Sequence, residues 1–96
     1  MEIMKVGMAG TLESSDISVV IEPNGDKGIE IILNSSVQKQ FGRQITEVIM
    51  NTLYSLGVKN ALVSANDKGA LHCIIKSRVQ TAVYRAADSK DYIWGE

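Results

Sequence analysis

The alternation of hydrophobic and polar residues predicts three short strands in the first third of the chain. Hydrophobic side chains recur at nearly every second position in residues 3–12, in residues 16–22 and from Lys27 to Leu33. Period two places such side chains on one face of a sheet. Pro23-Asn24-Gly25-Asp26 separates the last two segments, and Asn-Gly is a strong hairpin signal. The pattern therefore predicts a three-stranded antiparallel meander with one buried face.

The spacing then changes to that of a helix. Ser35-Ser36-Val37-Gln38 fits an S-x-x-Q capping box, so we expect the helix to begin at Ser35. Gly57 is placed to end it as a left-handed cap. The residues that form a hydrophobic stripe at helical spacing are Val37, Phe41, Ile45, Val48, Ile49, Thr52 and Leu56. An amphipathic helix must bury such a stripe, so we expect it to pack on the sheet.

A fourth strand and a second helix follow. Residues 58–65 indicate the strand, and Asn66 and Asp67 are suitable N-caps for a helix from Lys68 to about Ala87. The second stripe consists of Leu71, Ile75, Val79, Ala82, Val83 and Ala86. The prediction is an α+β fold, a single domain over residues 1–96, with element order β-β-β-α-β-α.

Two features of the second half allow alternative interpretations. Arg78 lies at the edge of the second stripe, where it either snorkels its charge to solvent or faces an anionic ligand or partner. Residues 88–96 lack periodicity but contain Tyr92, Ile93 and Trp94. This cluster either folds back on the domain or docks on a partner, where Tyr and Trp often act as anchors.

Composition excludes several classes of function. Ten basic and eleven acidic residues give a net charge of −1, which does not indicate a nucleic-acid partner. The longest hydrophobic runs are far too short to span a membrane, and the N-terminus lacks a signal-peptide block, so we expect a cytoplasmic protein. The single Cys73 excludes an internal disulfide, and with the single His72 it makes a closed zinc site implausible. We therefore expect no metal site.

The connection between the first two predicted strands carries the most suggestive chemistry. Ser14, Ser15 and Asp16 are turn formers, so we expect the two hydroxyl groups to be exposed and accessible to another protein. The stretch has no G-x-S-x-G elbow and no neighbouring histidine to act as a base. A serine of this kind suits a chain that is modified by another enzyme, not one that catalyses a reaction itself.

Three stretches resemble the acyl carrier protein family of citrate lyase, its gamma subunit. They are Ala9-Gly10-Thr11-Leu12-Glu13-Ser14-Ser15-Asp16, residues 32–42 and residues 67–74. The resemblance extends over roughly residues 3–87. It implies a non-catalytic carrier with a phosphoribosyl-dephospho-coenzyme A arm joined to Ser14 by a phosphodiester, since that serine follows the glutamate of the motif. His72 departs from the aspartate expected in this family.

The resemblance also implies partners and a reaction. The arm's thiol holds acetyl as a thioester, an alpha subunit exchanges acetyl for citryl, and a beta subunit releases oxaloacetate. A further enzyme attaches the arm. The alternatives are the carrier of a related complex such as malonate decarboxylase, or an unmodified assembly module. Ser15 is the rival acceptor, and Lys68 either follows a plain helix cap or contacts the arm's phosphates.

Overall fold

The fold class and the order of elements predicted from the sequence are confirmed. A computed structural model of the protein describes residues 1–87. Its elements are β1 (Gly7–Ala9), β2 (Ile17–Glu22), β3 (Ile29–Ser35), α1 (Gln38–Ser55), β4 (Ala61–Asp67) and α2 (His72–Ala87). The cluster Tyr92-Ile93-Trp94 lies outside the described residues, so both interpretations of it stay predictions. Within residues 1–87, neither helix has the length and apolarity needed to cross a membrane.

The predicted meander is wrong in the position of its third strand. The strand order is β1-β2-β4-β3, so β4 lies between β2 and β3. β1 and β4 pair antiparallel with β2, whereas β3 pairs in parallel with β4, from Ile29↔Ala61 to Ser35↔Asp67. Parallel neighbours need a long crossover, and the 18-residue α1 provides it.

The turn after β2 shows why the hairpin signal failed. Lys27 N–H donates to the Asn24 carbonyl oxygen at 3.2 Å, so a local turn does form. The chain is then held at the start of β4: Gly28 N–H donates to Asn60 Oδ1 at 2.8 Å, and Ala61 N–H donates to the Gly28 carbonyl oxygen at 3.0 Å. These bonds carry the connection past β4, so the turn does not fold β3 back onto β2.

Both helices begin later than predicted. Ser35 belongs to β3, and α1 begins at Gln38. Half of the expected capping box forms, because Ser35 N–H donates to Gln38 Oε1 at 2.9 Å while Ser35 Oγ accepts from Val37 N–H at 3.1 Å. Asp67 likewise completes β4, which extends two residues beyond the predicted strand, and α2 begins at His72.

The core lies between one face of the sheet and the two helices. Its fully buried large side chains are Ile17, Val19, Ile21, Ile49, Leu53, Val58, Val63, Ile75, Val79 and Val83. Two members of the predicted stripes are exposed: Phe41 by 47% and Leu71 by 69%. Both lie near the start of a helix, at the same end of the sheet.

β1 is oriented opposite to the sequence-based expectation. The large side chains of Met4, Val6 and Met8 are exposed, whereas Gly7 and Ala9 face the core. The reason is the close approach of α2, since a Cβ at Gly7 would overlap the backbone of Ala82 and Ala86. Met4 N–H and Lys5 N–H also donate to the Ala86 carbonyl oxygen, at 2.9 and 3.0 Å.

We expect Gly7→Ala to lower the free energy of unfolding by about 1–3 kcal/mol, because the added methyl group has to displace the α2 backbone. Gly42→Ala is the matched control. Gly42 is also buried, but its nearest neighbour to an added Cβ is Gln38 Cγ at 3.4 Å. Alanine is the better helix former, so the control should gain up to about 1 kcal/mol. Urea unfolding measures both changes, and equal values would contradict the close approach.

Candidate functional site

The candidate site lies at one edge of the sheet, where several chain segments meet. β1, β3 and β4 end at this edge, and β2 begins there, as the pairs Ile17↔Asp67 and Ser35↔Asp67 show. Residues 10–16, which connect β1 to β2, are called the serine loop below. The three stretches that suggested the family are spread over residues 9–74, and parts of all three come together at this edge.

The tip of the serine loop is a tight turn. Asp16 N–H donates to the Glu13 carbonyl oxygen at 3.2 Å, which places Ser14 and Ser15 at the two central positions. Ser15 has a φ of 64°, in the left-handed region that the third residue of a type II turn requires. Both serines are exposed. The turn therefore presents two neighbouring hydroxyl groups, as the sequence predicted, and does not by itself choose between them.

The base of the serine loop is bonded to the segment that follows β4. Ser15 N–H donates to the Lys68 carbonyl oxygen at 2.8 Å, and Lys68 N–H donates to the Asp16 carbonyl oxygen at 2.9 Å. Gly10 adopts a φ of 89°, and a Cβ there would overlap the Ile17 carbonyl oxygen. The backbone of the loop is thus fixed on both sides of an exposed tip.

The Asp16 carboxylate is the electrostatic centre of the loop. It accepts two hydrogen bonds from Arg78, Nε to Oδ1 and Nη2 to Oδ2, each at 3.0 Å. Thr11 Oγ1 donates to Oδ2 and Ile17 N–H to Oδ1, both at 2.7 Å. The pKa of Asp16 is lowered from 3.8 to about 2, chiefly by the hydrogen bonds from Arg78 and then by the one from Thr11, whereas burial acts in the opposite direction.

This arrangement replaces both sequence-based interpretations of Arg78. Its side chain is 39% exposed, but its guanidinium group is paired with a carboxylate of its own chain in a bidentate geometry. The analysis of the sequence missed the pair because the two residues are 62 positions apart. A charged residue at the edge of a helical stripe was the available signal, and it does not identify a partner.

A second carboxylate joins the other segments of the edge. Asp67 is 1% exposed, and it accepts from Ser35 Oγ at 2.8 Å, from Gly69 N–H at 3.1 Å and from Ala70 N–H at 2.9 Å. The predicted capping role of Asp67 is therefore realised on the turn before α2. The same carboxylate also binds the end of β3, which the sequence did not indicate.

The remaining candidate groups are metal-ligating clusters and the neighbours His72 and Cys73. Within residues 1–87 there is no group of three or more His, Cys, Asp or Glu side chains that could hold a metal ion. His72 and Cys73 are exposed neighbours on the first turn of α2. The arrangement at the serine loop is suited to presenting a hydroxyl group, with carboxylates engaged in structural bonds.

Comparisons with known proteins agree with this picture. Residues 4–86 match the family model of the acyl carrier protein described as malonate decarboxylase delta subunit (MdcD). The chain is 55% identical over 96 residues to the citrate lyase acyl carrier protein of Lacticaseibacillus casei, covering 100% of this chain and 94% of that protein. It is 51% identical to the Vibrio cholerae protein of the same description, with coverage of 100% and 98%.

A solved structure shares the fold. It is the crystal structure of a Pseudomonas malonate decarboxylase hetero-tetramer in complex with malonate, one chain of which superposes with a TM-score of 0.65 at 20% identity. The match covers 86% of this chain and 89% of that chain. Fold and similarity together define an acyl carrier subunit. The chain belongs to the acyl carrier family of citrate lyase and malonate decarboxylase, as the sequence motifs predicted.

We expect Asp16→Asn to lower the free energy of unfolding by about 1–2 kcal/mol near neutral pH, because it removes one charge of a partly solvated ion pair. The folded-state pKa is depressed from 3.8 to about 2, so this contribution is present above pH 3.8 and is lost as the pH falls toward 2. Urea unfolding of wild type and variant between pH 6 and pH 2 measures the difference directly.

Arg78→Gln tests whether the stability lost in Asp16→Asn comes from the Asp16–Arg78 ion pair. Its cost should match that of Asp16→Asn, and the double variant should lose little more than either single variant. A difference between wild type and Asp16→Asn that stays constant down to pH 2 would show that the ion pair is not its source.

Proposed function

We propose that this chain is the acyl carrier subunit of a citrate lyase and that Ser14 carries its prosthetic group. The observation that carries the proposal is an exposed serine at the tip of a loop whose base is fixed by Asp16, Arg78 and Lys68. Support comes from relatives at 50–55% identity that are citrate lyase acyl carrier proteins.

The proposed group is phosphoribosyl-dephospho-coenzyme A, linked to Ser14 Oγ by a phosphodiester. When bound, it supplies a terminal thiol that carries acetyl and citryl as thioesters. The residues at the site fit such a group, because Ser14 has its hydroxyl at the surface and exposed Lys68 provides a positive charge in the segment bonded to the loop. Both helices also begin at this edge of the sheet.

The chain's own contribution is to hold the attachment point and let the arm move. The paired Asp16 and Arg78 fix the loop, while the tether raises the effective concentration of the thioester at the partners' active sites. The proposed partners are an acyl-transferring alpha subunit, a lyase beta subunit and the enzyme that attaches the arm. The chain itself catalyses none of these steps.

The related carrier of malonate decarboxylase is the second candidate, favoured by the family model and the shared fold. Identities above 50% to citrate lyase carriers, against 20% to the Pseudomonas chain, favour citrate lyase. Restoration of activity separates the two. Loaded protein should restore citrate cleavage to citrate lyase alpha and beta subunits and should not support malonate decarboxylation.

Intact mass and peptide mapping test the attachment site. Protein produced together with the attaching enzymes should gain the mass of one phosphoribosyl-dephospho-coenzyme A on the peptide that contains Ser14. Ser14→Ala should abolish the gain, whereas Ser15→Ala, a change of the neighbouring hydroxyl in the same turn, should retain it.

Two results would contradict parts of this proposal. Modification that persists in Ser14→Ala and disappears in Ser15→Ala would move the site by one residue. An unmodified chain that restores activity to the alpha and beta subunits would leave an assembly module instead of a carrier.

A further inference from the structure

An apolar groove opens between the start of α1 and the start of α2, at the edge of the sheet that also carries the serine loop. Val37, Phe41 and Ile45 form its wall on the α1 side, and Ala70 and Leu71 form the opposite wall. His72 completes the lining at the first residue of α2. The groove therefore lies where the N-terminal ends of the two hydrophobic stripes extend beyond the core.

Two large side chains leave the groove unfilled in the free chain. Phe41 is 47% exposed and Leu71 is 69% exposed, although helical spacing assigns both to the core. Ile45, only 3% exposed, forms the end of the groove nearest the core. Apolar surface of this kind gains free energy when a ligand covers it, by about 25 cal/mol for each Å² removed from water.

The groove lies a short distance along the chain from the attachment loop. Lys68 is bonded through its backbone to Ser15 and Asp16, and Gly69, Ala70 and Leu71 follow it directly along the chain. Three residues span at most about 11 Å, so the Leu71 wall begins within that distance of the contact with Ser15. A long arm attached at the tip of the loop can therefore reach the groove.

We propose that the groove is a resting site for the prosthetic arm, with Phe41 and Leu71 covering its adenine ring and pantetheine methylenes. This inference rests on the proposed function, since it assigns the occupant to the group carried by Ser14. The Phe41 ring offers a face for stacking by the adenine base, and exposed Lys68 lies between loop and groove, where the phosphates would pass.

Attachment makes weak binding sufficient. A short flexible tether gives an effective concentration on the order of millimolar, so a contact with a Kd near 1 mM would be occupied about half of the time. That balance leaves the arm free to reach a partner for the remaining half of the time. A tight site would hold the arm back, which suits the open and shallow shape of the groove.

The first test uses the unattached ligand on the full chain. Dephospho-coenzyme A is titrated at millimolar concentration into ¹⁵N-labelled Ser14→Ala protein, which cannot be loaded at the proposed site. Backbone amide shifts should move at Phe41 and at residues 69–72. Leu71→Ser in this background should raise the Kd about fivefold or more, since it removes one apolar wall.

Leu71→Ser is chosen because it spares the fold. The Leu71 carbonyl oxygen accepts from Ile75 N–H at 3.0 Å, so the residue occupies the N-cap of α2, where serine is a favoured residue. Tyr54→Ser is the matched control, because Tyr54 is 64% exposed on the last turn of α1, away from the groove. The control should leave the Kd unchanged.

The second test uses the loaded wild-type chain, whose modification is first verified by mass. Amide shifts at Phe41 and residues 69–72 should differ between loaded and unloaded protein, and Leu71→Ser should shrink these differences while Tyr54→Ser preserves them. Shift differences confined to residues 13–16 in fully loaded protein would overturn the resting site and leave the proposed function intact. Groove binding of dephospho-coenzyme A by a wild-type chain that the attaching enzymes never modify would instead contradict the proposed function alone.

A different result would overturn the inference. If dephospho-coenzyme A leaves the amide shifts at Phe41 and residues 69–72 unchanged, and only added alpha or beta subunit moves them, the groove binds a partner subunit.

Discussion

The insertion of β4 between β2 and β3 is the constraint on which the rest of the structure depends. It makes β3 and β4 parallel neighbours, so α1 must cross over the sheet between them. It also brings the segment after β4 against the serine loop, where the Lys68 backbone bonds to Ser15 and Asp16. With β3 in the position of β4, as in a meander, the loop would lack these neighbours.

The site combines a fixed base with an exposed tip, an arrangement consistent with membership in an acyl carrier family. The Asp16 carboxylate accepts hydrogen bonds from Thr11, Ile17 and Arg78, and these bonds hold the loop. Asp67 is similarly engaged with Ser35 and the turn before α2. Both carboxylates are therefore bonded within the chain, whereas Ser14 is exposed.

Sequence reasoning succeeded where a signal is local and failed where it is not. Period two and helical spacing sufficed for the order of the elements, because each pattern reflects one buried face. Asn24-Gly25 forms a turn in either topology, so it could not reveal that Asn60 holds the chain at β4. The Asp16–Arg78 pair joins residues 62 positions apart, so it could be identified only from the three-dimensional structure. The choice of Ser14 over Ser15 as the proposed attachment site came from motif similarity, since both serines are exposed in the same turn.

The serine loop can take its final shape only late in the synthesis of the chain. The loop occupies residues 10–16, but the groups that fix it come from Lys68 and Arg78, which the ribosome adds much later. Chains grow from the N-terminus at about 5–20 residues per second, so the loop is exposed for several seconds before its partners exist. Its shape is thus a property of the finished chain, and an enzyme that recognises that shape passes over truncated products.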